Sequence, residues 1–191
     1  MAYILQILIG VGLAATCGFR IFVPLFVMGI AGYSGYLELA SEFSWIASLP
    51  AIIIFAVATI IEIAAYFIPY VDNLLDSISI PASVIAGIVV AASVITDMHP
   101  LLRWTFAVIA GGGVATVTSL VSNGVHGVST VASGGGANPA VSGVESALSI
   151  VSAIVAVLVP VLAVILITIV VILTIRLMKK WKRQKQHRSS G

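Results

Sequence analysis

Apolar runs long enough to cross a lipid bilayer follow one another along this chain, and most are interrupted by a proline or an ionisable residue. A hydrocarbon core ~30 Å thick takes about 20 apolar residues in helical form. Backbone inside that layer must satisfy its own hydrogen bonds, so only helices or a closed barrel can span it. Long runs of Leu, Ile, Val and Ala without polar alternation select the helix. Of the 191 residues, 60% are hydrophobic and 8% charged, where a soluble domain has roughly a quarter charged. The expected fold class is therefore all-α, a polytopic membrane helical bundle of about five segments with broken or re-entrant helices. Residues 1–178 read as one integral-membrane domain and 179–191 as a basic tail.

Charge is distributed unevenly. Seven of the nine Lys and Arg residues (Arg176, Lys179, Lys180, Lys182, Arg183, Lys185 and Arg188) follow residue 175, and only Arg20 and Arg103 face the seven acids upstream. The formal charge of +2 belongs to the tail, so no nucleic-acid partner is expected. By the positive-inside rule the tail is cytoplasmic, in an inner (plasma) membrane. Counting back along an unbroken last helix puts the Asp97–Arg103 turn on the tail's side and Asp72 and Asn138 on the other. Cys17 is the single cysteine, so no internal disulfide forms. Met1 to Gly18 carries no Lys or Arg, which argues against a signal peptide.

Tyr3 to Tyr33 exceeds one crossing, with Gly18-Phe19-Arg20 and Pro24 at its middle. Proline cannot donate to the helix ladder and disfavours helix in the residue before it. Two helical pieces are expected to meet near Arg20, as a broken span or a re-entrant hairpin. Ser34 to Leu49 reads as an amphipathic connector with Glu38, Glu42 and the interfacial aromatics Tyr33, Tyr36 and Trp45. Pro50 to Phe67 reads as a span with Glu62 near its end. Ile68 to Ser79 reads as a short helix carrying Asp72 and Asp76 on one face. Pro81 is expected to open the next span, Ile80 to Thr96, and Leu101 to Ser122 follows. Asn123 to Gly143, rich in Gly, Ser, Ala and Thr, reads as irregular, above all near Ala132–Pro139. Val144 to Met178 reads as one last helix, ~50 Å long, which exceeds the ~30 Å hydrocarbon core and so tilts, kinks at Pro160 or projects. The pattern Gly10-x-Gly12-Leu-Ala14 recurs as Gly111-x-Gly113-Val-Ala115, a short echo of the repeats that mark transporter binding sites.

Arg20 is the most constrained side chain. A central arginine costs ~2.5–3.5 kcal/mol on insertion scales, so it is expected to pair with Glu62, Asp72, Asp76 or Glu145. Alternatively it contacts an anion or lipid headgroup through planar, bidentate bonds. Glu62, Asp72, Asn73 and Asp76 place four oxygen-bearing side chains within 15 residues. Such a set can hold a hard cation or relay protons. Its spacing matches no dedicated metal motif, so neither a metal nor a cofactor is identified. Gly134 to Ser142 is similar to the aquaporin signature around Asn-Pro-Ala, with Asn138 as helix cap and Pro139 in the first turn. Aquaporins carry two such motifs, the second followed by Arg; this chain has one, followed by Glu145, so the likeness is read as shared helix-start chemistry. His126 reads as a loop histidine.

Three patterns together cover nearly the whole chain: Gly-Leu-Ala-Ala-x-Cys-Gly-Phe-Arg ending at Arg20 with Pro24; Glu62 with Pro-x-x-Asp-Asn-x-Leu-Asp ending at Asp76; and Gly-Gly-x-x-Asn-Pro-x-x-Ser-x-x-Glu ending at Glu145. In these the chain resembles a family of small bacterial integral-membrane proteins catalogued as domain of unknown function 4126. The resemblance implies one membrane domain and a shared polar site at these positions, and it supplies no activity. Relatives tend to place a basic residue before the Ser-Thr pair of the last loop. Here His126-Gly127 precedes Val128-Ser129-Thr130, which argues against a second cation completing the site.

The expectation is a transporter or channel-like protein. Its central polar site would comprise Arg20, Glu62, Asp72, Asn73, Asp76, Asn138 and Glu145, serving a small solute, an ion or a lipid headgroup. The alternative is a non-catalytic scaffold or assembly subunit, packing small-residue faces and a long last helix against partners or copies of itself as a homo-oligomer. An enzyme is not favoured, because no nucleophile–base pair or metal constellation accompanies these residues.

Overall fold

The computed structural model describes residues 2–160 together with 162, 165, 168–169, 171–176 and 179–180, without the side chains of Ala2, Pro69, Tyr70, Asp72 and Asn73. Apolar sequence has become helix, and no strand occurs among the described residues. The helices are α1 (Ala2–Cys17), α2 (Phe22–Tyr33), α3 (Leu49–Ala65), α4 (Pro69–Val94), α5 (Pro100–Phe106), α6 (Gly113–Ser133) and α7 (Asn138–Leu158). A 3-10 helix, Ser41–Ala47, precedes α3, and a π-helical turn, Ala107–Gly112, joins α5 to α6.

The first two helices form a hairpin. Near the start of α1, Gln6 donates to Thr96 Oγ1 at 2.7 Å and accepts from the Thr96 N–H, just past the end of α4. Beyond α2, the Ala40 N–H donates to Ser93 O at 2.8 Å, on the last turn of the same α4. Both legs therefore begin and end at one end of the bundle and turn at the other, at Gly18–Ile21. Sixteen residues of α1 rise about 24 Å, and the twelve of α2 about 18 Å. Neither leg reaches across ~30 Å of hydrocarbon. Glu42 on the 3-10 helix pairs with Arg103 at 2.7 Å, which places the Arg103 turn at this same end.

Small residues set how close the remaining helices come. A Cβ on Gly87 would lie 3.0 Å from Gly111 O, and one on Gly111 would lie 2.7 Å from Gly87 O, so α4 and the π-helical turn meet backbone to backbone. Gly10 also packs on α4, against Ala91 and Val94. The two matching Gly-x-Gly segments thus grip one stretch of α4, which is the packing reason for their likeness. Leu13, Met28, Val90 and Val94 fill the core between them.

Capping follows the sequence at α3, where Ser48 Oγ accepts from Ala51 N and Pro50 lies in the first turn. At α5, His99 Nδ1 accepts from Leu101 N ahead of Pro100. Helix α6 ends at Gly134 with φ +63°, the left-handed stop that glycine adopts without strain.

Several boundaries differ from those expected. Pro81 does not open a span but lies inside the 26-residue α4, which runs unbroken from Pro69. Its missing N–H removes one rung, and the flanking turns carry the helix through. Asn123 to Ser133 is helical, so the irregular stretch shrinks to Gly134–Ala137; Ser and Thr hydroxyls bonded back to carbonyls, such as Ser133 to Ser129 O, support this run. Helix α7 starts at Asn138 and stops at Leu158, immediately before the Val159–Pro160 pair.

Beyond that stop the chain doubles back. Thr174 shares a cavity with Val141, Val144, Glu145 and Leu148. A straight continuation would put Thr174 about 43 Å from Glu145, at 1.5 Å per residue. The single helix Val144–Met178 is therefore not formed, although Met178 itself lies outside the described residues. Arg176, Lys179 and Lys180, which follow Thr174, are exposed. With the chain reversed at Thr174 they follow toward the Asn138 end, opposite the Arg103 turn, while residues 181–191 of the expected tail lie outside the described residues.

By length and composition three helical stretches among the described residues can cross a membrane: Leu74–Val94, Pro100–Ser133 and Asn138–Leu158. A fourth arises if the 3-10 helix and α3, bent by 64°, count as one span. The bundle is thus multi-pass, with three to four such spans among the described residues.

Candidate functional site

Gly18 to Ile21 is the turn of the hairpin, and Arg20 lies in it, 1% exposed. The turn can lie against α6 because position 18 has no side chain: a Cβ there would fall 2.6 Å from Ser119 N and collide with Thr118. Arg20 Nη1 donates to Phe19 O at 2.8 Å, Nη2 to Ser142 O at 3.0 Å and Nε to Ser146 Oγ at 3.1 Å. Nη1 also pairs with Glu145 Oε2 at 3.5 Å. The face of the guanidinium stacks on Tyr66, 4.0 Å from the ring centre. An arginine has five N–H donors, and the protein itself takes up four of them.

Glu145 is the hub on α7. Its Oε1 accepts from Ser122 Oγ at 2.6 Å, and its Oε2 lies 2.9 Å from His126 Nε2. The other ring nitrogen, Nδ1, faces Asp76 Oδ2 at 3.7 Å. Tyr66 meets the imidazole edge-on, with centroids 5.9 Å apart. Asp76 is half-buried, and Asn123 Nδ2 bonds its backbone carbonyl at 2.9 Å, tying α4 to α6.

Glu62, near the end of α3, does not touch the guanidinium. Its two oxygens accept from the backbone N–H groups of Ile21 and Phe22 at 2.7 and 3.0 Å. These are orphan donors at the start of α2, and a carboxylate there also meets the positive end of the helix dipole. Glu62 thus caps α2 from a different helix and fixes the residues adjoining Arg20.

The structure brings together Arg20, Glu62, Asp76 and Glu145 of the residues expected from sequence. Asp72 and Asn73 lie on the first turns of α4, and their side chains fall outside the described residues. Asn138 does not cap α7 with its side chain: Ala137 holds that position with no side-chain bond. Instead Asn138 Nδ2 donates to Thr130 Oγ1 at 3.0 Å, buried about 10 Å along α7 from Glu145.

His126 is not a loop histidine. It is 1% exposed, on α6, at the heart of the cluster. Tyr66, Ser122 and Ser146 are further members that sequence reasoning passed over. One signal could have found part of this set. Ser142, Ser146, Ser149 and Ser152 recur every three to four residues and lie on the buried side of α7 with Glu145, and such a polar stripe on an apolar helix marks an interior seam.

Among the described residues, one guanidinium, three carboxyl groups and one imidazole meet at the site, so acidic groups outnumber the fixed positive charge. Among the described residues no group of three or more His, Cys, Asp and Glu has the geometry to hold a metal ion. The arrangement can hold a guanidinium rigidly, bind a positive or hydrogen-bonding ligand near its carboxylates, and exchange protons through an imidazole.

A family model described as domain of unknown function (DUF4126) matches residues 7–180. No curated protein and no solved structure matches the chain.

Proposed function

The chain belongs to that family of unknown function, and from this premise we propose that it is a transporter or channel-like membrane protein whose polar site handles a small solute or ion. One observation carries the reading: charged and titratable side chains from α3, α4, α6, α7 and the hairpin turn converge, all buried except the half-buried Asp76, where the backbone leaves the helical ladder. Irregular backbone at membrane depth is tolerated where it lines a site or is buried in protein, and intramembrane ionisable groups mark substrate or ion pathways.

Because the donors of Arg20 are taken up by the protein, its role is to hold the hairpin turn against α7. The exchangeable charge then resides on Asp76, Glu145 and His126, which favours a cation or a hydrogen-bonding solute over an anion or a lipid headgroup. The positive-inside rule, applied to the basic residues that follow Thr174, favours a cytoplasmic orientation of the Asn138 end and the site, with the Arg103 end outward. The scaffold reading has less support, since the glycine contacts at Gly10, Gly87, Gly111 and Gly112 are made within the chain.

Reconstitution tests the proposal. Liposomes containing the protein are adsorbed to a solid-supported membrane and given jumps in pH, Na+ and K+. A transient current above that of protein-free liposomes, lost in Glu145→Gln, is the expected result. Absence of current with every ion, together with no uptake of a labelled solute panel, would overturn it.

A further inference from the structure

Resting on the transport reading above, we infer that the ion handled at this site is the proton, passed between Asp76 and Glu145 by His126. The geometry sets the argument. The imidazole is held between two carboxylates, with Nε2 2.9 Å from Glu145 Oε2 and Nδ1 3.7 Å from Asp76 Oδ2. A neutral imidazole has one N–H and one lone pair. Whichever tautomer it adopts, one nitrogen turns a lone pair toward a carboxylate oxygen. That contact is repulsive unless the carboxylate carries a proton or the ring does. The Asp76–His126–Glu145 set is therefore complete with one proton more than a neutral ring and two carboxylates supply.

That extra proton has two homes, Asp76 and Glu145, and moving it between them is balanced. A proton on Asp76 Oδ2 passes to His126 Nδ1 as the proton on Nε2 passes to Glu145 Oε2. Asp76 ends as carboxylate, Glu145 as carboxylic acid, and the ring as its other neutral tautomer. No other reactant is needed. The Asp76–His126 gap is slightly beyond hydrogen-bond length, so a small turn of either side chain completes the contact.

The two ends of this relay face different surroundings. Asp76 is 20% exposed in its side chain. Glu145, with Ser122, lines a separate cavity of about 270 Å³ between α6 and α7, walled by Phe19, Val125 and Leu148. Beside it, Ser142 Oγ is fully buried and has no hydrogen-bond partner among the described residues. Glu145 thus connects the relay to a space that Asp76 does not line.

Among the described residues, further groups around His126 fit this role. Tyr66, after α3, presents its ring to the imidazole edge and its face to Arg20. Arg20, from the hairpin turn, pairs with the same Glu145 oxygen that His126 contacts, and Glu62 adjoins that turn by capping α2. Protonating Glu145 removes the charge that Arg20 pairs with. The proton's arrival therefore loosens the hairpin turn from α7, which couples proton movement to a structural change.

The test uses the full chain in liposomes loaded with the pH dye pyranine, with an inward potential set by potassium and valinomycin. Wild-type protein should acidify the lumen faster than empty liposomes. H126Q and D76N should each slow this by ~10-fold or more, since a positioned proton-transfer group commonly contributes 10²–10⁴. H99Q, on the exposed turn, should match wild type. Unchanged flux in H126Q would overturn the relay. Flux absent from wild type while Na+ or K+ jumps still drive currents would overturn the proton assignment and leave transport standing; absence of every current would remove both. If H126Q melts more than about 4 °C below wild type, nitrogen-15 spectra of the H99Q/H187Q protein decide instead. Imidazole nitrogen signals that move with pH between about 5 and 8 support the relay, and one fixed tautomer throughout that range overturns it.

Discussion

Arg20→Ala strands Glu145 beside an imidazole and frees Ser142 O and Phe19 O, buried, of a strong donor. Breaking a buried ion pair from one side costs about 3–5 kcal/mol, and a protein of this size loses about 2–4 °C of melting temperature per kcal/mol. A loss on the order of 10 °C is expected for the detergent-purified variant. Arg20→Lys should recover little of it, because an ammonium cannot reach Ser146 Oγ, Ser142 O and Glu145 at once while stacking on Tyr66. A melting temperature within a degree or two of wild type for either variant would contradict this geometry. That Arg20 needs a partner was legible from one charge inside an apolar run. His126 was not, because a histidine among glycines and serines has no periodicity to show whether it faces a carboxylate or water.

The hairpin turn depends on an absent side chain. Gly18→Ala would drive a Cβ into Thr118 and to 2.6 Å from Ser119 N. Overpacking of this kind typically costs about 1–3 kcal/mol, and the variant should melt lower than wild type, whereas Gly127→Ala, with open space around it, should not. At the other end, Arg103 clips α5 to the 3-10 helix through two bonds to Glu42. Those bonds hold the Glu42 carboxyl down at about 2, below its ordinary 4.5. A depressed carboxyl stabilises the fold above its unfolded value and loses that contribution as pH falls through the folded one. The stabilisation that Glu42→Gln removes should therefore be present at neutral pH and fade between about pH 4.5 and 2; a difference between the two proteins that grows on acidification would contradict it. Proline signalled the break near Arg20 and the start of α3, yet Pro81 sits inside α4. A proline in sequence marks a missing donor, and only the neighbouring turns decide whether the helix stops.

The multi-pass, all-helical character followed from hydropathy alone, since the bilayer leaves so few alternatives. The course of the last third of the chain did not, because an apolar run of 35 residues, Val144 to Met178, reads equally as one tilted helix or as two antiparallel ones. The cavity shared by Thr174 and Glu145 decides for a reversal. In cells, a cysteine at position 99 and one at position 185 in a Cys17→Ser background should therefore react with impermeant reagent from opposite sides; labelling of both from one side would restore the straight helix. The central claim is that the buried charges serve a transported species as well as the fold. Its most direct test sets the melting temperature and ion-jump current of Arg20→Ala beside those of Arg20→Ala/Glu145→Gln. The double variant, with no stranded carboxylate, should regain most of the lost stability while its current stays at the level of protein-free liposomes. Current that returns together with stability would show that these charges only hold helices in place, and would contradict the account.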